Sequence, residues 1–449
     1  MEHTRQRREF FRYISLNILG MIGLACYLLA DTFFVARGTG ATGLAALNLA
    51  IPAYTLMNGL GLMIGVGGAT RYAFCRAQGD DHAADRVFTC AASLGLAVGV
   101  LFLLAAVCAA APAALLLGAT GDTFPLTVVY LRTALSFSPF FVMNNVLLAF
   151  VRADGNPGCA MRAMLAGSLF NIVFDYLFIF PCQLGLFGAA LATGISPMVS
   201  LLCLSAHLRR AARGFHLRRA QLRLSQLPAL CAPGVSTLIG ELSSGLVLLL
   251  FNLTLLRLAG STAVAAYGII ANLSLVAMAI LQGLATGMQP LVSRASGAGE
   301  TAAHRHLLHW GVLTALGIAT LLYALTARFA PALTAVFGGA DDPSLARYAI
   351  PGLRLYFTGF WGAGVNIVLS AFLSAAGRPS AGFALSLVRG PIAIAPLLLL
   401  LTALYGVTGV WLTFPAAECL TALLSAGAGF RFFLTSSSHV HKTQETPSR

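Results

Sequence analysis

Long apolar segments alternate with short polar breaks along most of the chain. Each segment reaches or exceeds the roughly 20 residues that an α-helix needs to cross a bilayer. The pattern predicts twelve transmembrane helices, with approximate bounds at 11–36, 44–72, 87–110, 124–150, 159–181, 184–208, 228–257, 264–294, 306–330, 345–375, 381–401 and 405–433. The pairs five/six and eleven/twelve are the hardest to separate, because the linkers between them are short.

The composition agrees with a protein that crosses the membrane many times. Hydrophobic residues make up 58% of the chain and charged residues only 10%, whereas soluble domains carry about 25% charged residues. The mean hydropathy is +0.83. The nine Cys residues include no C-x-x-C pair and lie mostly in apolar segments, so they are interpreted as small buried hydrophobic residues.

The positions of the arginines predict the orientation. The longest polar break, 209–223, carries six Arg. If the N-terminus is cytoplasmic, this break and most other Arg-bearing connections face the cytoplasm, as the positive-inside rule requires. The net charge of +13 is thereby explained without a nucleic-acid partner. We expect a monomeric protein of the cytoplasmic membrane with both termini in the cytoplasm.

An internal repeat relates the two halves of the chain. An offset of 222 residues aligns Arg132, Asn144, Gly155 and Pro157 with Arg354, Asn366, Gly377 and Pro379. Weaker matches pair Gly40 with Gly260, Gly79 with Gly299, and Gly185 with Gly406. Apolar composition alone does not place Arg, Asn, Gly and Pro in register. Six helices in each half give both halves the same topology, which is a parallel repeat.

The predicted fold class is therefore an all-α membrane protein with two six-helix lobes and a central cleft. The predicted divisions are a first lobe over 1–208, a cytoplasmic Arg-rich linker over 209–227, a second lobe over 228–433 and a disordered cytoplasmic tail over 434–449. Rocking of two such lobes exposes the cleft to each side of the membrane in turn.

Two carboxylates lie inside apolar segments of the first lobe. A charged side chain in the middle of a span costs roughly 2.5–3.5 kcal/mol or more, so its presence indicates a function. Asp31, Asp175 and Thr193 are all predicted about 8–14 Å below the outer surface, at 1.5 Å per helical residue. Two facing carboxylates cannot both ionise at low cost, so such a pair can load and release a proton or bind Na⁺. The alternative is that Asp31 caps its helix or pairs with Arg37.

The helical neighbours of these acids extend the candidate site. Tyr27 lies one turn before Asp31, and Asn171 lies one turn before Asp175, so each shares a helix face with its carboxylate.

Further polar residues are candidates for the cleft. Glu241 near the middle of helix seven could attract a cationic substrate. Glu418 in helix twelve could do the same or form a local pair with Arg389. The repeat-related Asn144 and Asn366 either hold helix contacts or line the cleft.

Several short motifs resemble the multidrug and toxic compound extrusion (MATE) transporters. They are DTFFVAR at 31–37, GVGGAT at 65–70, RADGNP at 152–157, NIVFD at 171–175, GAALAT at 188–193, QP at 289–290 and GRP at 377–379. The resemblance covers about residues 10–433. It implies twelve helices in two lobes and export of cationic, lipophilic compounds in exchange for H⁺ or Na⁺, with no enzymatic activity and no cofactor besides the coupling ion.

By motif match, the resemblance places the coupling site at Asp31, Asn171, Asp175 and Thr193, with Tyr27 nearby; a Na⁺ ion there would be the one metal expected. Tyr27, Asn144, Glu241 and Asn366 remain candidates for the substrate cleft. Helix one has no proline, so bending at a proline is not expected. Helix ten lacks the carboxylate that one branch pairs with the helix-seven Glu, so Glu241 has no expected partner.

Two other functions fit parts of the sequence. A lipid-linked oligosaccharide flippase of the same wider fold would have a cationic cleft. A membrane-embedded transferase would need a polar site with His, Asp or metal ligands outside the membrane, and the longest loop offers only Arg.

Overall fold

A computed structural model describes residues 2–210, 213–218, 224–335 and 343–424. These residues are almost entirely helical, as expected for a chain whose backbone must satisfy its own hydrogen bonds in lipid. The parts of the predicted linker at 211–212 and 219–223, the end of predicted helix twelve and the whole predicted tail lie outside the described residues.

Twelve helices can be traced in the described ranges when Leu227–Ala298 is divided at Gly260, and they follow the predicted order of membrane spans. They are α1 Thr4–Gly40, α2 Thr42–Ala77, α3 Asp81–Leu116, α4 Thr123–Ser136 with Ser138–Ala153, α5 Pro157–Ile179 and α6 Gly185–Leu208 in the first half. In the second half, Val235–Ala298 breaks at Gly260 into α7 (235–259) and α8 (261–298), and α9 Thr301–Thr334, α10 Pro343–Ala375, α11 Pro379–Tyr405 and α12 Val407–Leu424 follow.

Several helices are longer than predicted because they continue beyond the apolar segment. The helix α3 begins at Asp81, where Asp80 caps it by accepting a hydrogen bond from the Ala83 backbone N–H. The helix α4 is a bent pair with an angle of 48°. Helix α11 contains a π-helical turn at Val388–Ile392, a feature often found where a helix serves a function.

Glycine backbone angles confirm the internal repeat. Gly40 (φ 69°, ψ −165°) and Gly260 (φ 72°, ψ −163°) break the chain in the same way between the first two helices of each half. The other aligned pairs also share positive φ angles, at Gly79 and Gly299, Gly155 and Gly377, and Gly185 and Gly406. These left-handed conformations favour glycine, which explains why glycine aligns at these positions.

Each half has its own buried core. One cluster gathers second-half residues between Phe251 and Ala417, together with Phe10, Tyr13 and Ile14 of α1. Two further clusters gather first-half residues, one of them also including Leu230. The helices therefore form two lobes that touch mainly through α1, α2, α7 and α8, with a smaller contact of α4 on α8.

The lobes meet backbone to backbone near the side that carries the N-terminus, here called the N-terminal face. A methyl group added to Gly283 in α8 would lie 2.7 Å from Cα of Ile18 in α1. One added to Gly67 in α2 would lie 2.4 Å from the backbone oxygen of Leu230. Nearer the opposite face, Gly268 has nothing within 4 Å. The seam between the lobes is thus closed on the N-terminal side, by the small-residue packing common between membrane helices.

Candidate functional site

The two predicted carboxylates come together inside the first lobe. Asp175 is fully buried and Asp31 is 7% exposed. Their carboxyl groups lie close enough together to interact directly. The helices α1 and α5 pack side by side, which brings these two positions to one level. Two carboxyl groups can hold this contact at low cost only when a proton or another cation lies between them.

An amide and a hydroxyl complete the predicted set. Asn171 is fully buried and lies one helical turn before Asp175. The hydrogen-bond network orients its amide so that the nitrogen donates to Oδ2 of Asp175 at 2.9 Å. Its oxygen then accepts from the hydroxyl of Thr193 at 3.3 Å. The structure therefore brings all four predicted coupling residues into one buried cluster.

Three tyrosines border this cluster, and two of them were not predicted. The hydroxyls of Tyr27 and Tyr54 lie 3.3 Å apart. Tyr130 in α4 lies close enough to Thr193 and to both carboxylates to interact with them. Tyr54 and Tyr130 lie in apolar helices. There the only sequence signal of a polar role is that the residue is tyrosine and not phenylalanine.

The predicted alternative role of Asp31 involved Arg37. In the structure the Arg37 guanidinium lies over the ring of Phe33, 5.8 Å from its centroid. None of the ion pairs among the described residues joins Asp31 to Arg37. Asp31 is directed into the lobe and contacts Asp175 instead.

Glu241 of α7 lies against the first lobe at the seam. It lies close enough to Asn58 of α2 to interact with it, and a methyl group on Gly59 would lie 3.5 Å from its Cβ. Asn58 also accepts a hydrogen bond from Asn145 at 2.9 Å. Glu241 is also near enough to Tyr54 for the two to interact electrostatically. Polar groups therefore extend from the carboxyl pair to the facing lobe.

The two predicted cleft asparagines have different surroundings. The side-chain oxygen of Asn144 is buried without a hydrogen-bond partner. Asn366 lies inside the second lobe and donates to Oε2 of Glu418 at 2.8 Å. Glu418 also accepts from Nε of Arg389 at 2.6 Å. The predicted alternative for Glu418, a local pair with Arg389, is therefore confirmed.

A second polar cluster ties the start of the interlobe linker to the first lobe at the N-terminal face. The Asp154 carboxylate contacts Nε2 of His207 at 2.8 Å, accepts from the Gly214 N–H at 3.0 Å and accepts from the Tyr72 hydroxyl at 2.5 Å. Burial raises the pKa of Asp154, but these hydrogen bonds outweigh burial and leave that pKa below its ordinary value. Beside this cluster, Phe215 is buried against the ring of Phe88.

The match to known proteins decides the family. Residues 17–177 and 237–400, most of the chain, match the MatE family model. The chain belongs to the MATE family. MATE proteins are transporters, so the transferase interpretation is excluded.

Curated relatives and solved structures agree with this assignment. The chain is 26% identical over 410 residues to the multidrug export protein MepA of Staphylococcus saprophyticus, covering 90% of this chain and 89% of MepA. It is 26% identical over 416 residues to MepA of Staphylococcus aureus, with the same coverage.

Among solved structures, the fold resembles an outward-facing MATE multidrug resistance transporter with a TM-score of 0.89 at 22% identity, covering 98% of this chain and 97% of the other. It also resembles the MATE multidrug transporter DinF-BH, solved in complex with a ligand, with a TM-score of 0.86 at 27% identity and coverage of 94% and 95%.

Proposed function

We propose that this MATE transporter exports cationic, lipophilic compounds in exchange for protons and that Asp31 and Asp175 form the proton-coupling site. The observation that carries the proposal is the direct contact between two buried carboxyl groups. The family and the curated relatives, which are multidrug exporters, support drug export over the flippase interpretation.

The proton is the coupling ion that fits this contact best. A carboxyl group donates a hydrogen bond only in its protonated form, so the contact suits a pair that shares a proton. Asn171 donates to Asp175 from the other side and orients it. A Na⁺ ion would need the carboxylates to separate and admit it among several oxygen ligands, of which Thr193 and Tyr130 are the nearest further candidates.

The exchange follows because the proton and the cationic substrate compete for the negative charge of the Asp31–Asp175 pair. With the pair deprotonated, the site is anionic and attracts a cationic substrate into the cleft, where Tyr27, Tyr54 and Glu241 offer aromatic and acidic surface. Protonation removes the attraction and releases the substrate. Closure of the seam on the N-terminal face, as in this structure, places the release on the opposite side. We infer that the N-terminal face is cytoplasmic, because the described part of the Arg-rich linker, 213–218, is bonded to Asp154 and Asp85 on it.

The test uses purified protein in proteoliposomes with ethidium as substrate. We expect an imposed pH gradient to drive ethidium transport, and an Na⁺ gradient at constant pH to drive none. Asp31→Asn and Asp175→Asn should each abolish the pH-driven signal, because an amide neither binds nor releases a proton. Asp122→Asn is the matched control, since Asp122 is exposed in the connection before α4.

Three results would contradict the proposal. Transport driven by Na⁺ and not by the pH gradient would make Na⁺ the coupling ion. Full pH-driven transport in Asp31→Asn, with normal expression and thermal stability, would exclude Asp31 from coupling. A wild-type protein that moves no ethidium or fluoroquinolone under either gradient would refute multidrug export.

A further inference from the structure

Arg152 lies buried at the seam between the lobes, in the last turn of α4 and close to the N-terminal face. It is 6% exposed. None of the ion pairs among the described residues includes it. A buried charge that lacks a counter-ion is costly to the folded state, so the absence of an acidic partner calls for an explanation.

The protein satisfies only part of the guanidinium. Nη1 donates to Oδ1 of Asn17 at 2.9 Å, and Nε donates to the backbone oxygen of Leu148 at 3.2 Å. Both acceptors are neutral. A guanidinium has five N–H donors in a planar fork. These two bonds therefore leave further N–H groups that can donate to another acceptor.

Arg152 also lines a small cavity whose walls come from both lobes. Helix α2 contributes Thr70, α4 contributes Arg152, and α8 contributes Thr286 and Gln289. The cavity is small and partly open, with room for one small ion or one water molecule. The Thr286 hydroxyl donates to the Gln282 backbone oxygen at 2.8 Å, so Thr70 and Gln289 are the neutral groups of the wall that offer donors to a guest.

The second lobe shows that helix packing at the position equivalent to Arg152 does not require an arginine. The repeat-related residue is Ser374, which is 1% exposed and bonds to Ser236 through the two hydroxyls at 2.8 Å. The second lobe thus closes the equivalent site with two small side chains. The first lobe instead places a positive charge there beside a cavity.

We propose that this cavity binds one chloride-sized anion on Arg152 and that the anion stabilises the conformation in which the lobes meet on the N-terminal face. The anion supplies the counter-charge that the protein lacks, and Thr70 and Gln289 add neutral donors. Because α8 forms one wall and α2 and α4 form the others, the site is complete only while the seam is closed. Separation of the lobes during transport dismantles it and releases the ion.

A purely structural role for Arg152 is the competing explanation. An arginine in the last turn of a helix interacts favourably with the helix dipole, and this requires no anion. The two explanations differ in one observable, the dependence of stability on the anion in solution.

The first experiment measures thermal unfolding of the purified full-length transporter in chloride, bromide and gluconate salts at equal ionic strength and fixed Na⁺. The unfolding midpoint of the wild type should rise with chloride or bromide concentration and then level off, relative to gluconate. Arg152→Gln should remove this rise, and Arg152→Lys should retain part of it. Arg162→Gln is the control that removes the same charge from an exposed site near the same face, and it should behave as the wild type.

A second variant keeps the test decisive if Arg152→Gln does not fold. Gln289→Leu leaves the net charge unchanged and removes an amide from the cavity wall, so the chloride concentration for half the effect should rise several-fold. An unchanged chloride response in Gln289→Leu, an equal response in Arg152→Gln, or no response in the wild type would each overturn the proposal.

A third measurement reports the seam directly. Cys231 lies there, with its Cα 3.2 Å from a methyl group placed on Gly67. In a background with Cys231 as the only cysteine, chloride should slow its labelling by a water-soluble thiol reagent, and Arg152→Gln should abolish that slowing. Labelling that is equally fast in chloride and gluconate would show that no anion holds the seam closed.

Discussion

The closed seam depends on glycines that let two backbones touch, and Gly283 allows the clearest perturbation. A methyl group on Gly283 would lie 2.7 Å from Cα and 3.0 Å from N of Ile18. These are backbone atoms of a facing helix, so they cannot turn aside as a flexible side chain would. We expect Gly283→Ala to push α1 and α8 apart and to open the seam on the N-terminal face.

The size of the effect follows from the overlap. Forcing one extra carbon into a well-packed contact costs typically about 1–3 kcal/mol. That cost applies to the closed-seam conformation alone, so it shifts the balance between the two conformations by about 5- to 150-fold. Gly→Ala in a helix also gains about 1 kcal/mol of helix propensity, but this gain is the same in both conformations.

Gly268 in the same helix provides the matched control, because it has nothing within 4 Å. The assay is the labelling rate of Cys231 as the only cysteine, together with pH-driven ethidium transport. Gly283→Ala should speed labelling and slow transport, whereas Gly268→Ala should change neither. Equal labelling rates in the two variants would refute the conclusion that the Gly283 contact holds the seam closed.

Two further predictions concern the charged clusters. Asp154→Asn should destabilise the protein by about 1–3 kcal/mol near neutral pH, because it leaves the buried donors around that carboxylate poorly matched. The folded state lowers the pKa of Asp154. The ionised Asp154 therefore stabilises the folded protein fully above about pH 4, and this stabilisation is lost as the pH falls further. The difference in unfolding midpoint between wild type and Asp154→Asn should shrink only at such acidic pH. Glu418→Gln should cost about 3–5 kcal/mol because it leaves Arg389 without its counter-charge, and the double variant with Arg389→Met should unfold at a higher temperature than Glu418→Gln alone; a midpoint for Glu418→Gln within a degree of wild type would contradict this.

The sequence was most informative where physical constraints act along the chain. Membrane thickness fixes the length of each apolar segment, and this gave the twelve helices. The left-handed turns at Gly40 and Gly260 tolerate glycine best, and this made the repeat visible. Helical rise alone placed Asp31 and Asp175 at one depth, where the structure brings them into contact.

The sequence was less informative about which face of an apolar helix looks inward. Tyr54 and Tyr130 border the carboxyl pair, but nothing in an almost uniformly apolar segment distinguishes their face from one that contacts lipid. The docking of Phe215 and Gly214 onto the first lobe was missed for a related reason. Local composition predicted a cytoplasmic Arg-rich linker there and carried no information about its long-range partners.

The single contact between the two carboxyls also has an electrical consequence. Under the proposed exchange, one proton enters for each singly charged compound that leaves, so no net charge crosses the bilayer in a full turnover. The membrane potential therefore does not drive or oppose such a cycle. If net charge did cross, the potential would contribute about 2.3 kcal/mol per elementary charge for each 100 mV. A neutral or doubly charged compound would break this balance, and its steady-state accumulation ratio would then vary with the membrane potential.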